Sequence, residues 1–215
     1  MDKLASYYAQ RAAEYERIYA KPERQADLAA LRQRLRGLLA GGKVLELACG
    51  TGYWTEAIAP AAAQVTAIDV NEEVLRIARS KRYPENRVTF MHGDCYAPPD
   101  TGRSHDALFA GFWWSHVPLG RLDAFLAVAT QSVAPGALVA FLDNRYVEGS
   151  STPISRRDGD GNSYQLRRLD DGSTHEVLKN FPAEGELIRR AARCGRGAHV
   201  DLYPHFWLLS FRAPQ

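Results

Sequence analysis

An acidic residue and two closely spaced glycines mark the stretch of this chain best suited to binding a ligand. A short apolar run carrying Glu46 leads into Gly50 and Gly52, and a helical pattern begins at Tyr53. Glycine permits dihedral angles that a Cβ forbids and allows the backbone to approach a ligand closely. A buried strand, a glycine turn and a helix start, in that order, predict a nucleotide-binding corner. Glu46, just ahead of the turn, can accept a hydrogen bond from an ammonium or hydroxyl group.

The spacing of this turn differs from that of a dinucleotide-binding turn. The dinucleotide pattern is G-x-G-x-x-G, whereas this chain reads E-x-x-x-G-x-G with Thr55 in place of the third glycine. A carboxylate ahead of the turn repels a pyrophosphate but suits a cationic amino-acid group. The stretch resembles the first motif of the class I S-adenosylmethionine-dependent methyltransferases of the small-molecule type. The resemblance implies that Glu46, Gly50 and Gly52 hold the cofactor's methionine part. Ala48 and Trp54 are further candidate cofactor-binding residues. An ordinary strand-to-helix turn is the alternative.

The next two predicted strands also end in acids. Asp69 closes the apolar run 64–70 and lies 17 residues after Gly52, close to where nucleotide-binding folds place an acid on the ribose hydroxyls. A helix N-cap is the alternative role for Asp69, although Asn71 is better placed for it. Asp94 and Cys95 follow the third strand, 88–92. In the resembled family the acid at this point binds the adenine amino group, and the next backbone N–H binds a ring nitrogen. A solvated turn is the alternative for Asp94.

By the same resemblance, Val70 and Ala110 complete the cofactor-binding residues. We interpret Cys95 as a backbone donor and small apolar neighbour rather than a nucleophile, because no basic partner is evident near it.

The end of the fourth strand, predicted over 106–110, carries aromatic residues and a histidine. In the resembled family this is where the methyl group meets its acceptor, so we expect Phe112, Trp113 and His116 to bind the substrate. Aromatic rings attract cations such as a sulfonium. His116 is the candidate general base, since an imidazole titrates near neutral pH. A structural role for His116, capping the following helix, is the alternative.

The first forty residues predict a helical cover over the cofactor mouth. Tyr8, Ala12, Tyr15 and Tyr19 share one helical face, and the segment resembles the N-terminal segment that folds over the cofactor in small-molecule methyltransferases. We expect Tyr8 and Tyr15 to contact the cofactor and Tyr19 the substrate; packing of the tyrosines on the core is the alternative. A second helix follows over about 22–39, with its arginines interpreted as a solvated face.

Residues 144–181 change in character to Ser, Gly, Asp and Arg. Turn signals at 158–162 and 171–172 separate segments that alternate like strands, which predicts a β-ribbon over the active-site mouth. Arg145, Tyr146 and Tyr164 are its candidate substrate-binding residues. A surface hairpin without a role in binding is the alternative. The acids of this segment do not follow the twelve-residue pattern of a calcium loop.

Together these elements predict an α/β fold. The expected architecture is a Rossmann-like, mostly parallel seven-stranded sheet with helices on both faces, an antiparallel terminal strand, an N-terminal helical cover and a ribbon after strand five. We expect one domain over 1–215, made of the cover 1–40, a cofactor-binding core 43–143, the ribbon 144–181, and a helix and strand hairpin over 182–212.

Composition limits the class of partner. The chain has 215 residues, a net charge of +2 and three widely spaced cysteines. This net charge does not create a strong electrostatic field that would favour nucleic acid. No apolar run is long enough to span a membrane. An odd number of thiols favours a reducing compartment. We therefore expect a cytoplasmic protein, monomeric or homodimeric, with no nucleic-acid or membrane partner and no metal site.

The combined motifs predict an enzyme that uses S-adenosyl-L-methionine. The expected reaction is methyl transfer to a nitrogen or oxygen of a small molecule by in-line displacement, releasing S-adenosylhomocysteine. Such a displacement requires proximity and orientation rather than a covalent nucleophile. The alternatives are a domain that binds or senses the cofactor without catalysis, and a methyltransferase acting on protein or RNA. An NAD-linked oxidoreductase is disfavoured by Glu46 and the absent third glycine.

Overall fold

The structure is a computed structural model that describes Glu16 and residues 18–215. Tyr8 and Tyr15, predicted to contact the cofactor, lie outside the described residues. The second predicted helix begins as a 3₁₀ turn at Pro22–Arg24 and continues as an α-helix. Proline suits this first turn because its φ is preset and its missing N–H would have had no helical partner.

A seven-stranded sheet forms the centre of the fold, in the order β3-β2-β1-β4-β5-β10-β9. The five strands β1 to β5 run parallel, β10 is antiparallel to both of its neighbours, and the predicted fold class is confirmed. The strands of this sheet are β1 (Lys43–Leu47), β2 (Gln64–Asp69), β3 (Val88–His92), β4 (Ala107–Gly111), β5 (Leu138–Asn144), β9 (Arg196–Leu202) and β10 (Phe206–Arg212).

Helices cover both faces of the sheet, as the nearly continuous burial of its inner strands requires. Alternate residues of each strand face opposite layers: Val44 packs with the helices that precede β3, and Leu45 packs with those that follow β4. The helices are α1 (Gln25–Leu38), α2 (Tyr53–Ile58), α3 (Glu72–Ser80), α4 (Leu122–Gln131) and α5 (Glu184–Cys194).

Parallel strands bring their carboxyl ends to one edge of the sheet. Leu47 pairs with Ile68, and Asp69 pairs with His92, so the loops after β1, β2 and β3 emerge side by side. The loop after β4 emerges next to them on the other side of β1. This edge is where open α/β sheets bind their ligands.

The ribbon is a separate three-stranded sheet made of β6 (Arg156–Arg157), β7 (Ser163–Arg168) and β8 (Thr174–Leu178). Asn180 fastens it to the loop after β4. Its side chain donates to the Val117 carbonyl oxygen at 3.2 Å and accepts from the Ser163 N–H at 2.9 Å. Its backbone N–H donates to the Ser115 carbonyl oxygen at 2.8 Å. These bonds are buried, so they fix the position of the ribbon on the core.

Replacing Asn180 with leucine should destabilise the protein, because the buried Ser163 N–H and Val117 carbonyl would lose their partners. Each such loss costs roughly 1–3 kcal/mol. At about 2–4 °C per kcal/mol for a chain of this size, the two losses together should lower the melting temperature by roughly 4–24 °C. Thermal unfolding followed by circular dichroism measures this. Gln131→Leu, at the exposed end of α4, is the control, and an equal effect of both substitutions would contradict the role given to Asn180.

Candidate functional site

The loop after β1 forms a tight turn at the ligand-binding edge of the sheet. Gly52 has φ = +76°, and its N–H donates to the Cys49 carbonyl oxygen at 3.0 Å. A Cβ on Gly52 would lie 2.6 Å from the Tyr83 hydroxyl oxygen and 3.1 Å from the Ala78 Cβ. Glycine is therefore required at this position by conformation and by space. Ala48 also has a positive φ of 51°, which is uncommon for a residue with a Cβ.

Asp69 holds this turn in place from the end of β2. One carboxylate oxygen accepts from the Gly50 N–H and the other from the Asn71 N–H, each at 2.9 Å. A carboxylate offers about four lone-pair positions, so Asp69 has lone pairs left for a ligand. Burial raises the pKa of Asp69, although the backbone hydrogen bonds oppose that rise. Asn71 caps α3 by accepting from the Glu73 N–H at 3.1 Å, as its sequence position predicts.

Glu46 lies deeper than Asp69, with only 1% of its surface exposed. Its carboxylate accepts a hydrogen bond from the Thr55 hydroxyl at 2.6 Å. Burial raises its pKa to about 8, and the nearby Asp69 carboxylate adds to the rise. Thr55, which stands where a dinucleotide turn would have its third glycine, therefore supports Glu46 instead.

The third strand end presents a more exposed pair of candidate residues. Asp94 is exposed and accepts from the Tyr96 N–H at 2.9 Å. The neighbouring Cys95 is buried, and burial raises the pKa of its thiol, which agrees with a residue that is not a nucleophile. Val70, after β2, leaves 47% of its surface exposed, an apolar patch beside Asp69.

The segment before α1 crosses the turn after β1. Glu16 accepts from the Thr51 hydroxyl at 2.8 Å and pairs with Lys81. Tyr19 stacks on Tyr53 with ring centroids 3.5 Å apart, and its centroid lies 5.5 Å from that of Phe112. The segment thus connects the turn with the end of β4.

A cavity of about 340 Å³ opens between the end of β5, the segment before α1 and the ribbon. Its lining includes five cationic side chains and, among the described residues, no aspartate or glutamate. Two of the predicted substrate-binding residues, Phe112 and His116, are among its lining residues. The cations are Lys21, Arg24, Arg167, Arg168 and Lys179.

Lys179 reaches this cavity from the end of β8 and is 4% exposed. Its ammonium donates to Asp143 at 2.9 Å and to the Ser115 hydroxyl at 2.6 Å. Burial lowers the pKa of Lys179 to about 8, and the nearby Arg167 contributes, although Asp143 opposes it. Burial alone would raise the pKa of Asp143, but the attraction of Lys179 prevails and the pKa of Asp143 is lowered.

His116 forms part of the cavity wall. Its Nδ1 lies 2.7 Å from the carbonyl oxygen of Leu178, and because a carbonyl only accepts, Nδ1 carries the hydrogen. Burial, followed by the charges of Lys179 and Arg167, holds the pKa of His116 well below its ordinary value. The ring is therefore neutral near pH 7. This hydrogen bond joins the ring to the ribbon.

Arg24 and Lys21 close the cavity on the side opposite the ribbon. Arg24 donates to the Ser150 hydroxyl at 3.0 Å and to Asn144 Oδ1 at 3.2 Å, and Lys21 donates to the Ser150 carbonyl oxygen. Arg24 is 7% exposed, so the prediction of a solvated arginine face fails at this position. The physical reason is the loop after β5, which covers the start of the helix.

Five predicted substrate-binding residues do not line this cavity: Tyr19, Trp113, Arg145, Tyr146 and Tyr164. The Tyr164 hydroxyl donates to Asp158, and Arg156 stacks on its ring. Arg145 donates to the Tyr203 carbonyl oxygen. Tyr146 packs on Phe181 and is 42% exposed. Trp113 packs against Tyr96.

Sequence reasoning missed Arg24, Gln165, Arg167 and Lys179 as cavity residues. Lys179 carried a usable signal, because it directly follows Val177 and Leu178 at the apolar end of a predicted strand. Because side chains alternate between the two faces of β7, Gln165 and Arg167 share the inward face. The predicted residue, Tyr164, precedes Gln165 and belongs to the opposite face. Among the described residues, no cluster of three or more His, Cys, Asp or Glu side chains is placed to hold a metal ion. No helix among them is both long and apolar enough to cross a membrane.

The sheet order, the turn after β1 and the acids at successive strand ends define an S-adenosylmethionine-dependent enzyme of the Rossmann-like type. Comparisons with known proteins agree. A family model described as "Methyltransferase domain" matches residues 44–136. The chain belongs to the class I S-adenosylmethionine-dependent methyltransferases, and S-adenosyl-L-methionine is its cofactor.

Among solved structures, the chain is similar to DhpI. The DhpI–SAM–HEP complex is 33% identical with a TM-score of 0.80, over 97% of this chain and 95% of that one. The DhpI–SAH complex is 34% identical with a TM-score of 0.77, over 99% and 96%. The N-methyltransferase NodS of Bradyrhizobium japonicum WM9, solved with S-adenosylhomocysteine, shares the fold at 18% identity, with a TM-score of 0.66 and full coverage of both chains.

A shorter similarity connects the chain to demethylmenaquinone methyltransferase of Staphylococcus aureus. The two are 32% identical over 112 residues, which is 50% of this chain and 45% of that protein. The chain therefore spans less than half the length of this relative.

Replacing Asp69 with alanine, or Gly52 with valine, should each abolish binding of S-adenosylhomocysteine. Asp69→Ala removes the acceptor for two backbone N–H groups of the site, and Gly52→Val forces a side chain against Tyr83. Losing the two charge-assisted hydrogen bonds expected between Asp69 and the ribose hydroxyls would weaken binding of S-adenosylhomocysteine by at least about 100-fold. Titration calorimetry measures this, with Asp160→Ala in the ribbon turn as control. Normal affinity in both variants would show that the cofactor binds elsewhere.

Proposed function

We propose that this enzyme transfers the methyl group of S-adenosylmethionine to a nitrogen or oxygen of a small molecule that carries an anionic group. The observation that carries the proposal is the cavity beside β4 and β5, whose lining within the described part of the chain has five cations and no carboxylate. Its volume of about 340 Å³ lies at the lower end of the range for small-molecule sites. Carboxylates and phosphorus oxyanions are the anionic groups that such side chains recognise.

The cations of the cavity differ in how far they are neutralised. Lys179 is paired with Asp143, and two of the three N–H groups of its ammonium are used by Asp143 and Ser115. An ammonium has three donors, so one remains for an acceptor. Arg24 and Lys21 donate to neutral oxygens of Ser150 and Asn144. The cavity therefore keeps an excess of positive charge, which favours an anion over a neutral or cationic molecule.

The residues at the strand ends fit the cofactor. Asp69, held by Gly50 and Asn71, would accept from the ribose hydroxyls, and exposed Asp94 would accept from the adenine amino group. Exposed Val70 would pack on the adenine ring. Glu46, held by a hydrogen bond from the Thr55 hydroxyl, would face the methionine ammonium. When bound, the cofactor supplies an electrophilic methyl group on a sulfonium sulfur.

Orientation is the main contribution of the protein to the reaction. Phe112, directly after β4, borders the cavity and stacks near Tyr19, so it would lie between the bound cofactor and the cations. A displacement reaction gains most from holding the two reacting atoms in line. The cations would hold the anionic group of the acceptor while the aromatic wall excludes water.

The relatives support an acceptor of small size. DhpI has been solved with SAM and HEP together, and demethylmenaquinone methyltransferase is named for a small-molecule substrate. Neither identifies the acceptor of this enzyme.

A screen of small molecules with isotopically labelled S-adenosylmethionine tests the proposal. Metabolite extract is separated into anionic, neutral and cationic fractions, and the labelled products are identified by mass spectrometry. Label should appear in the anionic fraction and should be lost in the Asp69→Ala variant. Label confined to the neutral or cationic fraction, or to protein or RNA added as acceptors, would overturn the proposal.

Anion binding should weaken as the pH rises through about 8, where Lys179 loses its proton. Below that pH the lysine is charged and attracts the anion; above it the attraction is lost. Sulfate is a suitable probe because it does not titrate in this range. In protein saturated with S-adenosylhomocysteine, the sulfate dissociation constant should rise several-fold between pH 7 and pH 9.

The control for this pH dependence is Lys179→Met combined with Asp143→Asn, which avoids an unpaired buried carboxylate. This double variant should bind sulfate more weakly at pH 7 and show no change up to pH 9. If it keeps the pH dependence of the natural protein, another group is responsible.

The role of His116 can be tested with two substitutions of different geometry. Asparagine places an N–H donor close to the position of Nδ1, so His116→Asn should keep the bond to Leu178, whereas His116→Ala loses it. If His116 is the general base, both variants should lower kcat by about 100-fold or more and leave cofactor affinity intact. If only His116→Ala loses activity, and if this variant also loses thermal stability, then the histidine has a structural role.

A further inference from the structure

A buried glutamine stands beside the cationic group that faces the cavity from β7. Gln165 is 3% exposed, and both Gln165 and Arg167 line the cavity. Residues two apart in a strand share a face, and the Gln165 Oε1 accepts from Arg167 Nη2 at 2.9 Å. The glutamine is thus the inward neighbour of the arginine along the same strand.

The other end of the Gln165 amide is also in use. Its Nε2 donates to the carbonyl oxygen of Thr152 at 2.5 Å, in the loop that follows β5. Because a carbonyl oxygen only accepts and a guanidinium only donates, these two partners fix the orientation of the amide. The Thr152 loop and the guanidinium of Arg167 are therefore held by the same side chain.

The position of Arg167 is electrostatically unfavourable. Its charge is close enough to Lys179 and His116 to lower the pKa of both, and Lys179 is a like charge in the same buried region. Repulsion between like charges would push a flexible arginine side chain away from the cavity. A hydrogen bond from a buried neutral group opposes this without removing the positive charge.

We propose that Gln165 is a positioning residue for acceptor binding: its amide, held by Thr152, orients the guanidinium of Arg167 at the lining of the cavity, where it would meet the anionic group of the acceptor. The inference rests on the proposed function, since it assumes that an anion is the acceptor.

Two substitutions separate orientation from charge. Gln165→Glu keeps the shape and an acceptor oxygen, but its carboxylate neutralises Arg167. Gln165→Leu keeps the charge of Arg167 but removes the bond that orients it. Both should weaken sulfate binding to protein saturated with S-adenosylhomocysteine, by about tenfold or more for Gln165→Glu and several-fold for Gln165→Leu. The control is Gln131→Glu, the same change of charge at the exposed end of α4, which should leave sulfate binding unchanged.

A double-mutant cycle distinguishes positioning from a merely structural role. If Gln165 acts through Arg167, Gln165→Leu should have no further effect on sulfate affinity in an Arg167→Gln background. With an acceptor from the screen, Gln165→Leu should raise KM and leave kcat and cofactor affinity unchanged. The comparison of affinities in the cycle remains valid even where a variant is less stable, because sulfate affinity is measured on the folded, cofactor-bound fraction.

The possible failures lead to different conclusions. If the natural protein binds S-adenosylhomocysteine and sulfate but both Gln165 variants bind sulfate as tightly, the inference about Gln165 is wrong and the proposed function stands. Additive effects in the cycle would also reject it. If the natural protein does not bind sulfate at all, the anionic acceptor itself is wrong.

Discussion

The buried pair of Asp143 and Lys179 links the central sheet with the ribbon. Asp143 is the second-to-last residue of β5, and Lys179 directly follows the last strand of the ribbon. Removing two charges from water is costly, and only good geometry and further hydrogen bonds offset that cost. Ser115 supplies such bonds, because its N–H donates to Asp143 and its hydroxyl oxygen accepts from the Lys179 ammonium. The pair therefore positions the ribbon against the sheet and also places a cation in the cavity.

Two different physical devices organise the two halves of the proposed site. The proposed cofactor half uses parallel strand ends that lie side by side and backbone N–H groups that are held by Asp69. The proposed acceptor half uses side chains from three separate segments: the residues before α1, the loop after β5 and the ribbon. Phe112, directly after β4, would be common to both halves. This division explains how a core that is common to the fold can carry an acceptor pocket that differs from one protein to another.

The same division determines what could be predicted from the sequence. The individual strands and the acids at their ends follow from local patterns, such as the apolar run before Gly50 and the spacing from Gly52 to Asp69. The layout of the sheet follows from the resemblance to the methyltransferase family. The pocket residues do not, because Arg24 becomes buried only when the loop at Ser150 folds over it. In β7 the prediction chose Tyr164, whereas Gln165 and Arg167 face inward. The sequence of an alternating strand shows which residues share a face, but only the packing of the strand on the core determines which face is buried.

The absence of carboxylates from the cavity lining, among the described residues, has a consequence for molecules that do not belong there. A neutral molecule entering the cavity would displace water from Arg24 and Arg167 and offer no charge in return, so its binding would carry an uncompensated desolvation cost. A cationic amine would meet repulsion as well. Discrimination between ligands depends on such penalties as much as on favourable contacts. In a cell rich in amines and uncharged metabolites, the excess positive charge would keep the methyl donor from being consumed on the wrong molecule.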